Sequence, residues 1–580
     1  MPSVSAHVAL TLAQHVDAVF GLMGNGNAYF LDALERQTDA DFTAVRHEQG
    51  AVVAADAYFR ASGRIAAGTA TYGAGFTNTL TALAESVQAR VPLVLVVGDE
   101  PTSGPRPWDV DQIALASAVG ARTYTVGRAD AAATTVIAIE HALTYRVPVV
   151  LAIPYDVAAL EAGPVPDAPA PRAPEPLPPR GEFAAGMLDE IVEALRGAER
   201  PFLLAGRGAW LAGAGEALGT LAAATGAVTA STALGRGVFP DTRYDLGVTG
   251  GFGADGAMEL IRTADVAVVF GASLNQFTMR FGALFAPGTR VFQIDIGPAA
   301  THAHVGGFVR ADARVAAEEL VARLAGAHNS GEPATAPGVA GGSAGPDDDF
   351  SGVVHAPATA RTPWRESIDV ATARRYATGD ELAPDGRLDP RSAAQRIAEL
   401  LPDDRVVVSD GGHFIGWANM YWPVASPDRM IMIGTAFQSI GLGWPSVVGA
   451  TAARPESTTV LTSGDGGGLM AIADLESAVR AAGGRGMAVI WNDAAYGAEV
   501  NLYGLKGLAE GPMRIPEVDF AAFGAAVGAE GVVVRTLADL DRLAAWRDED
   551  PATRRFLLLD LRISGDVVAP YQEEIIRVNS

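Results

Sequence analysis

The chain has 580 residues, 49% of them hydrophobic, and a formal net charge of −24. That length predicts two to four domains with sizeable cores, and the negative charge argues against a nucleic-acid partner, which needs basic patches. Cysteine is absent and Lys506 is the only lysine, so disulfides, thiolate catalysis and cysteine metal sites are excluded and arginine carries nearly all positive charge.

Near the start, Val4, Val8 and Leu12 predict an amphipathic helix rather than a signal peptide. No run of 18 apolar residues occurs, so no membrane span and a cytoplasmic location are expected. Residues 1–160 alternate helical stretches with apolar strands such as 91–97 and 147–153, the pattern of a parallel, doubly wound sheet. Eight prolines between 161 and 180 read as a stiff linker. A second α/β unit follows over 181–327, with strands at 202–205, 266–270 and 291–295. Residues 328–389 form a second linker; its part from 330 to 349, rich in Gly, Pro, Ala and Asp, reads as disordered or as an exposed loop. The third α/β unit spans 390–565, and 566–580 reads as an acidic tail carrying Tyr571, Glu573 and Glu574.

The chemistry concentrates in two strand ends. An apolar run at 459–462 leads into Gly464-Asp465-Gly466-Gly467-Gly468, and another at 487–490 leads into Trp491-Asn492-Asp493-Ala494. A carboxylate and an amide oxygen at neighbouring strand ends can hold a hard cation such as Mg²⁺, which takes oxygen ligands and shares them with phosphate. The glycines let backbone N–H groups approach phosphate oxygens. With 66 glycines in the chain, a lone Gly-Asp-Gly is an ordinary turn; the strand-end Asn that follows makes the functional reading.

This pairing resembles the signature of thiamine-diphosphate (ThDP) enzymes of the acetolactate-synthase-like and pyruvate-decarboxylase-like superfamily. The resemblance implies three doubly wound α/β domains, named for pyrimidine binding, a middle domain and diphosphate binding. It implies Mg²⁺ ligands at Asp465, Asn492 and the carbonyl of Ala494. Arg46-His47-Glu48-Gln49-Gly50-Ala51 closely resembles the family segment whose glutamate activates the cofactor through its aminopyrimidine, which implies that role for Glu48. Alone, a Glu opening an Ala-rich helix is only a favourable first-turn charge. Residues 71–78 are similar to the family's Gly-Pro-Gly…Asn turn, bringing Thr71 and Asn78 to the cofactor. Ser409-Asp410-Gly411-Gly412-His413 resembles the loop whose Gly and His touch the diphosphate, here Gly412 and His413. Residues 439–445 resemble the turn whose bulky residue bends the cofactor into a V, here Ile440, and Gly434, Gly464, Gly466, Gly467 and Gly497 complete the implied cofactor contacts. In such enzymes the glutamate and the aspartate come from different subunits, so a homodimer or homotetramer acting on a small molecule is expected.

Departures from biosynthetic acetolactate synthases point to a different substrate. Trp108 stands where they carry a Gln, Ala121 where they carry a Lys, and Leu502 where they carry a Trp. Glu499 replaces an aliphatic residue, close to where pyruvate decarboxylases carry a glutamate; in an apolar pocket such a carboxyl acts as acid or base near neutrality. Asn25 sits where pyruvate decarboxylases place an Asp, and it can bond a substrate oxygen without exchanging a proton. The middle domain's Gly206-Arg207-Gly208 and Thr249-Gly250-Gly251 admit a nucleotide, FAD or ADP, but the family's two flavin arginine positions fall on Ser273 and Phe277, which weighs against tight FAD binding. The expected reaction makes or breaks a carbon–carbon bond of a 2-oxo acid, by decarboxylation or carboligation through a ThDP enamine. The alternative is a 2-hydroxyacyl-CoA lyase releasing formyl-CoA and an aldehyde or ketone.

Overall fold

The structure is a computed structural model describing residues 1–167, 169–326 and 363–579; the expected loop at 330–349 lies outside the described residues. The chain forms two compact units. One joins residues 1–175 to 376–580, and the other comprises residues 176–375.

The apolar runs become strands because helices cover both faces of each sheet, which leaves no solvated side to alternate with. In the first sheet β1 (Ala18–Gly21), β2 (Asp41–Ala44), β3 (Ala66–Ala70), β4 (Leu93–Asp99), β5 (Arg122–Thr125) and β6 (Pro148–Pro154) run parallel in the order β2-β1-β3-β4-β6-β5. The second sheet, in the other unit, holds β7 (Pro201–Ala205), β8 (Val228–Ser231), β9 (Asp245–Val248), β10 (Val266–Phe270), β11 (Arg290–Asp295) and β12 (Val305–Arg310), ordered β12-β11-β10-β7-β8-β9. The third holds β13 (Arg405–Ser409), β14 (Met430–Met432), β15 (Thr458–Gly464), β16 (Gly486–Asn492), β17 (Glu530–Val534) and β18 (Leu557–Arg562), ordered β14-β13-β15-β16-β18-β17. Three doubly wound parallel α/β sheets are the fold class expected from the sequence.

The first and third sheets share one strand order, and within their common unit they dock through matching helices. Helix α1 (Glu48–Ser62) follows β2, helix α2 (Leu80–Gln88) follows β3, and helix α3 (Gly443–Ala453) follows β14. Helices α1 and α3 approach so closely that a Cβ on Gly449 would lie 1.9 Å from the Ala54 carbonyl oxygen. Beside this contact a buried ionic network crosses the domains. Arg60 Nε bonds Asp56, Arg60 Nη1 donates to the Met432 carbonyl at 2.6 Å, Ser86 donates to Asp56 at 2.8 Å, and Glu85 accepts from the Phe437 N–H at 2.7 Å. Each charge is paired, which burial requires.

Three details differ from the sequence reading. The helix Val4–Leu12 is buried almost all round, Ser5, Ala6, His7 and Thr11 included, so it is a core element rather than an amphipathic surface helix. The supposed tail contains a helix, Pro570–Asn579, with Tyr571 and Gln572 buried. The C-terminal end of the second linker packs with the third sheet, where Leu388 bridges to Ile563. Among the described residues no helix is long and apolar enough to cross a membrane.

In the unit of residues 176–375 the strand order makes the gap between β7 and β10 the topological switch point, the usual place for a dinucleotide. There the Gly206 N–H bonds the Phe270 carbonyl and the Gly208 N–H bonds the Gly271 carbonyl, both at 2.9 Å. A Cβ on Gly206 would lie 2.5 Å from Gly271 O, and one on Gly251 would lie 2.5 Å from the Phe277 ring. These glycines serve close internal packing.

Candidate active site

The switch point of the first and third sheets lies between their first and third strands, and the implied site residues gather at the carboxyl ends of those strands. In the third sheet β15 and β16 run in register, Gly464 opposite Trp491, so Asp465 and Asn492 emerge side by side. Asp465 opens the helix α4 (Asp465–Met470). Its Oδ1 accepts from the Gly466 N–H at 2.9 Å, so this N–H is committed to the carboxylate and not to a phosphate. Asp465 Oδ2 is buried without a partner. The Asn492 amide is oriented by its Nδ2, which donates to Asp560 at 2.9 Å and to the Val518 carbonyl at 3.0 Å; its Oδ1 is buried and unpaired. Asp560 is itself held by the Phe520 N–H at 2.9 Å and by Arg562 at 2.7 Å. Ala494 has a left-handed backbone, φ 59°, and its carbonyl accepts from the Ile515 N–H at 2.9 Å with one lone pair left.

Two orphaned oxygens and a carbonyl are the donor types that Mg²⁺ prefers, and a buried oxygen without a partner costs free energy until one arrives. Burial, reinforced by the nearby Asp493 carboxylate, pushes the Asp465 carboxyl well above the usual carboxylate range. A cation would reverse that preference. The residues present therefore fit a bound divalent ion. Among the described residues no group of three or more His, Cys, Asp or Glu side chains is placed to hold a metal ion; the set here is one carboxylate, one side-chain amide and one backbone carbonyl.

The loop of Gly412 and His413 is braced from two sides. Asp410 is fully buried, and its Oδ1 accepts from the N–H groups of Gly411 at 2.8 Å, Gly441 at 3.0 Å and Leu442 at 3.2 Å, while Ser463 donates to Oδ2 at 3.2 Å. It joins the loop of Gly412 and His413 to the turn carrying Ile440; a Cβ on Gly411 would lie 3.0 Å from Ile440 Cγ2. Gly434 closes that turn at φ 100°, where a Cβ would meet the Ser439 carbonyl at 2.2 Å. Helix α5 (Pro570–Asn579) and the residue before it form the other brace. Tyr571 donates to the carbonyls of His413 at 2.8 Å and Gly412 at 3.1 Å, and the Ala569 N–H donates to His413 Nε2 at 3.2 Å. Burial pushes the His413 imidazole down to about 4. A neutral ring that accepts at Nε2 carries its proton on Nδ1. That nitrogen lies against Gly497, where a Cβ would be 3.1 Å away. Burial, then the Glu499 charge, pushes the Tyr571 phenol up.

The first sheet supplies a second cluster. Glu48, half-buried at the start of α1, accepts from Asn78 Nδ2 at 3.0 Å. A Cβ on Gly75 would lie 3.2 Å from Glu48 Oε1 and 2.6 Å from Thr71 Cγ2, so Glu48, Thr71 and Asn78 share one turn. Thr71 accepts from the Gly26 N–H at 2.9 Å, and Asn25 donates to Tyr72 Oη at 2.9 Å. Trp108, 61% exposed, borders the same turn, since a Cβ on Gly73 would lie 2.9 Å from its carbonyl oxygen. Glu499, exposed, and Leu502, half-buried, belong instead to the segment after Asn492, in the short helix Gly497–Glu499 and the π-turn Val500–Gly504.

The structure thus groups the implied residues into two clusters, Glu48 with Thr71, Asn78, Asn25 and Trp108, and Asp465 with the rest. Sequence reasoning missed Asp410, Tyr571, Asp560, Tyr72 and Arg106. Asp410 carried a local signal, a strand-end acid before two glycines. The others act across 47 to 159 residues of sequence or sit in a loop of no regular pattern.

Three family models match in order: the thiamine pyrophosphate enzyme N-terminal TPP binding domain over residues 2–115, the central domain over 188–320, and the C-terminal TPP binding domain over 410–556. The acetolactate synthase isozyme 3 large subunit of Escherichia coli is 26% identical, with 95% of this chain and 93% of that protein covered. A sulfoacetaldehyde acetyltransferase of Alcaligenes xylosoxydans xylosoxydans is 27% identical over 93% of this chain and 89% of that protein. In fold, the chain is similar to a Rhodococcus jostii thiamine diphosphate-dependent 4-hydroxybenzoylformate decarboxylase, with a TM-score of 0.74 at 20% identity, covering 97% and 99% of the two chains. The domain order, the two clusters at matching switch points and these likenesses together make the chain a thiamine-diphosphate-dependent enzyme of the acetolactate synthase and decarboxylase superfamily.

Proposed function

We propose that this enzyme makes or breaks a carbon–carbon bond beside the carbonyl of a 2-oxo acid, using ThDP and Mg²⁺ in a site shared between two copies of the chain. The observation that carries the reading is the pair of buried, unpartnered oxygens, Asp465 Oδ2 and Asn492 Oδ1, at adjacent strand ends. Acetolactate synthase and sulfoacetaldehyde acetyltransferase relatives support it.

In this reading Asp465, Asn492 and the Ala494 carbonyl hold the metal. His413 donates its Nδ1 proton toward the diphosphate, and its depressed basicity keeps it from competing as a base. The bound cofactor supplies the carbanion equivalent that no protein side chain offers. Glu48 moves a proton at the aminopyrimidine ring, steadied by Asn78. Ile440 shapes the cofactor cleft from its braced turn. Glu499 delivers a proton to the product carbon, and Trp108, Asn25 and Leu502 line the substrate space. The bonding partners of Glu48 and of the metal cluster are separate within one chain, so a second chain is proposed to bring a Glu48 cluster to an Asp465 cluster.

Protein reconstituted with ThDP and Mg²⁺ and given a panel of 2-oxo acids should yield CO₂ with an aldehyde or acyloin by mass spectrometry. Inert oxo acids together with formyl-CoA release from 2-hydroxyacyl-CoAs would replace this reading with an acyl-CoA lyase.

A further inference from the structure

The turn that holds Glu48 also borders a feature no family signature predicts. Arg106 is stacked among three rings, 4.1 Å from the centroid of Tyr72, 4.7 Å from Tyr155 and 5.6 Å from Trp108. Tyr72 and Tyr155 meet edge to face at 6.1 Å. Asp109 grips one side of the guanidinium, accepting from Nε and Nη2 at 2.8 Å each and from the Arg106 backbone N–H at 2.8 Å. The rings and the fork fix the guanidinium plane, so little rotamer freedom remains to be lost on binding.

That arrangement leaves donors on one rim. Among the described residues no carboxylate takes Arg106 Nη1. Tyr72 Oη accepts from Asn25 Nδ2 at 2.9 Å and interacts electrostatically with the Arg106 guanidinium, while its own O–H finds no acceptor among the described residues. The Asn25 amide keeps a second N–H. Arg106 is partly exposed, at 18% of its side chain, whereas Asp109 is 2% exposed, so the pair shows its cationic edge and hides its anionic one. In a chain of net charge −24, a rim of donors walled by aromatic rings selects small anions locally.

We propose that Arg106 Nη1, Tyr72 Oη–H and Asn25 Nδ2 form the binding site for the carboxylate, or an equivalent sulfonate, of the substrate. The site adjoins Glu48, because Tyr72 follows Thr71 in the turn that packs on the Glu48 carboxyl. The assignment of this anion to the substrate rests on the 2-oxo acid reading above; the anion site itself does not.

The test separates the two. The ThDP- and Mg²⁺-loaded enzyme is titrated by calorimetry with oxamate, an unreactive carboxylate, and with its uncharged counterpart oxamide. Oxamate should bind and oxamide should not. Arg106→Met should weaken oxamate at least tenfold, and Tyr72→Phe, which keeps the ring under Arg106, three- to tenfold, with ThDP affinity unchanged in both. In turnover the same variants should raise KM for a 2-oxo acid by those factors and leave kcat within about threefold. Equal oxamate binding by wild type, Arg106→Met and Tyr72→Phe overturns the proposal. Arg106-dependent oxamate binding in an enzyme inert toward 2-oxo acids upholds the anion site and discards the substrate reading. Sulfoacetamide, whose only anionic group is its sulfonate, distinguishes the two anions in a parallel titration: tighter binding than oxamate assigns the site to a sulfonate substrate.

Discussion

The first and third domains share a strand order, place their clusters at the same switch point and dock through equivalent helices, yet they carry opposite chemistry. The first domain's cluster is open and mostly neutral: Thr71, Asn78, Tyr72 and Asn25 surround one half-buried acid, Glu48. The third domain's cluster is buried and acidic, with Asp410, Asp465 and Asp560 each held by N–H or O–H donors. In the proposed reading, two copies of one architecture divide a cofactor between them, one end meeting an uncharged ring and the other a charged diphosphate and its metal. The strand ends decide which.

Breaking one cluster at a time should separate these roles, and this is the largest effect expected. Glu48→Gln should lower kcat about a thousandfold, the range of a lost proton-transfer group, while ThDP affinity changes by no more than a few-fold in a fluorescence titration. Asp465→Ala should do the reverse: cofactor affinity should fall at least a hundredfold at fixed Mg²⁺, and excess ThDP should restore part of the turnover. If Glu48→Gln abolishes ThDP binding, or Asp465→Ala leaves it intact, the division of labour is wrong.

The docking of the equivalent helices gives a smaller effect. Gly449→Ala would place a methyl 1.9 Å from the Ala54 carbonyl, against backbone that cannot rotate away. Overpacking of this kind costs roughly 1–3 kcal/mol. The variant should unfold at a lower denaturant midpoint while the isolated strand-end chemistry is untouched, so ThDP affinity per folded molecule should persist. Unchanged stability would mean that the two domains can move apart without loss.

What the sequence made legible follows from the range of the interactions. Apolar runs at 91–97, 147–153 and 487–490 announce buried strands because a parallel sheet covered on both faces has no polar side. The two glycine- and Asn-bearing motifs announce neighbouring strand ends, and the pairing of β15 with β16 does place Asp465 beside Asn492. The braces were not legible. Tyr571 reaches Gly412 across 159 residues, and Glu85 reaches Phe437 across 352. A Tyr near a C-terminus and a Glu in an Ala-rich helix have no local pattern that distinguishes them from solvated residues. Arg106 was hidden for a different reason: its ring partners Tyr72 and Tyr155 come from two other strand ends, and only the fold stacks them.

The smallest effect tests the electrostatic half of the comparison through pH. His413 is held neutral by burial, its value pushed down to about 4 from 6.5. Below pH 6.5 the unfolded chain takes up a proton that the folded chain refuses, so unfolding is favoured as pH falls, and the loss is complete once pH passes the folded value near 4. Between pH 7 and pH 5 this one residue should remove about 2 kcal/mol of stability. His413→Gln keeps an acceptor for the Ala569 N–H but cannot titrate, so between pH 7 and pH 5 the wild type should lose about 2 kcal/mol more stability than the variant, read from their denaturant midpoints. The first domain's open cluster offers no buried imidazole of this kind, and Asn78→Ala there should leave the pH dependence of stability unchanged. Parallel pH profiles for wild type and His413→Gln would show that the third domain's cluster is wetter than its burial implies, and the contrast between a dry acidic cluster and an open neutral one would fall with it.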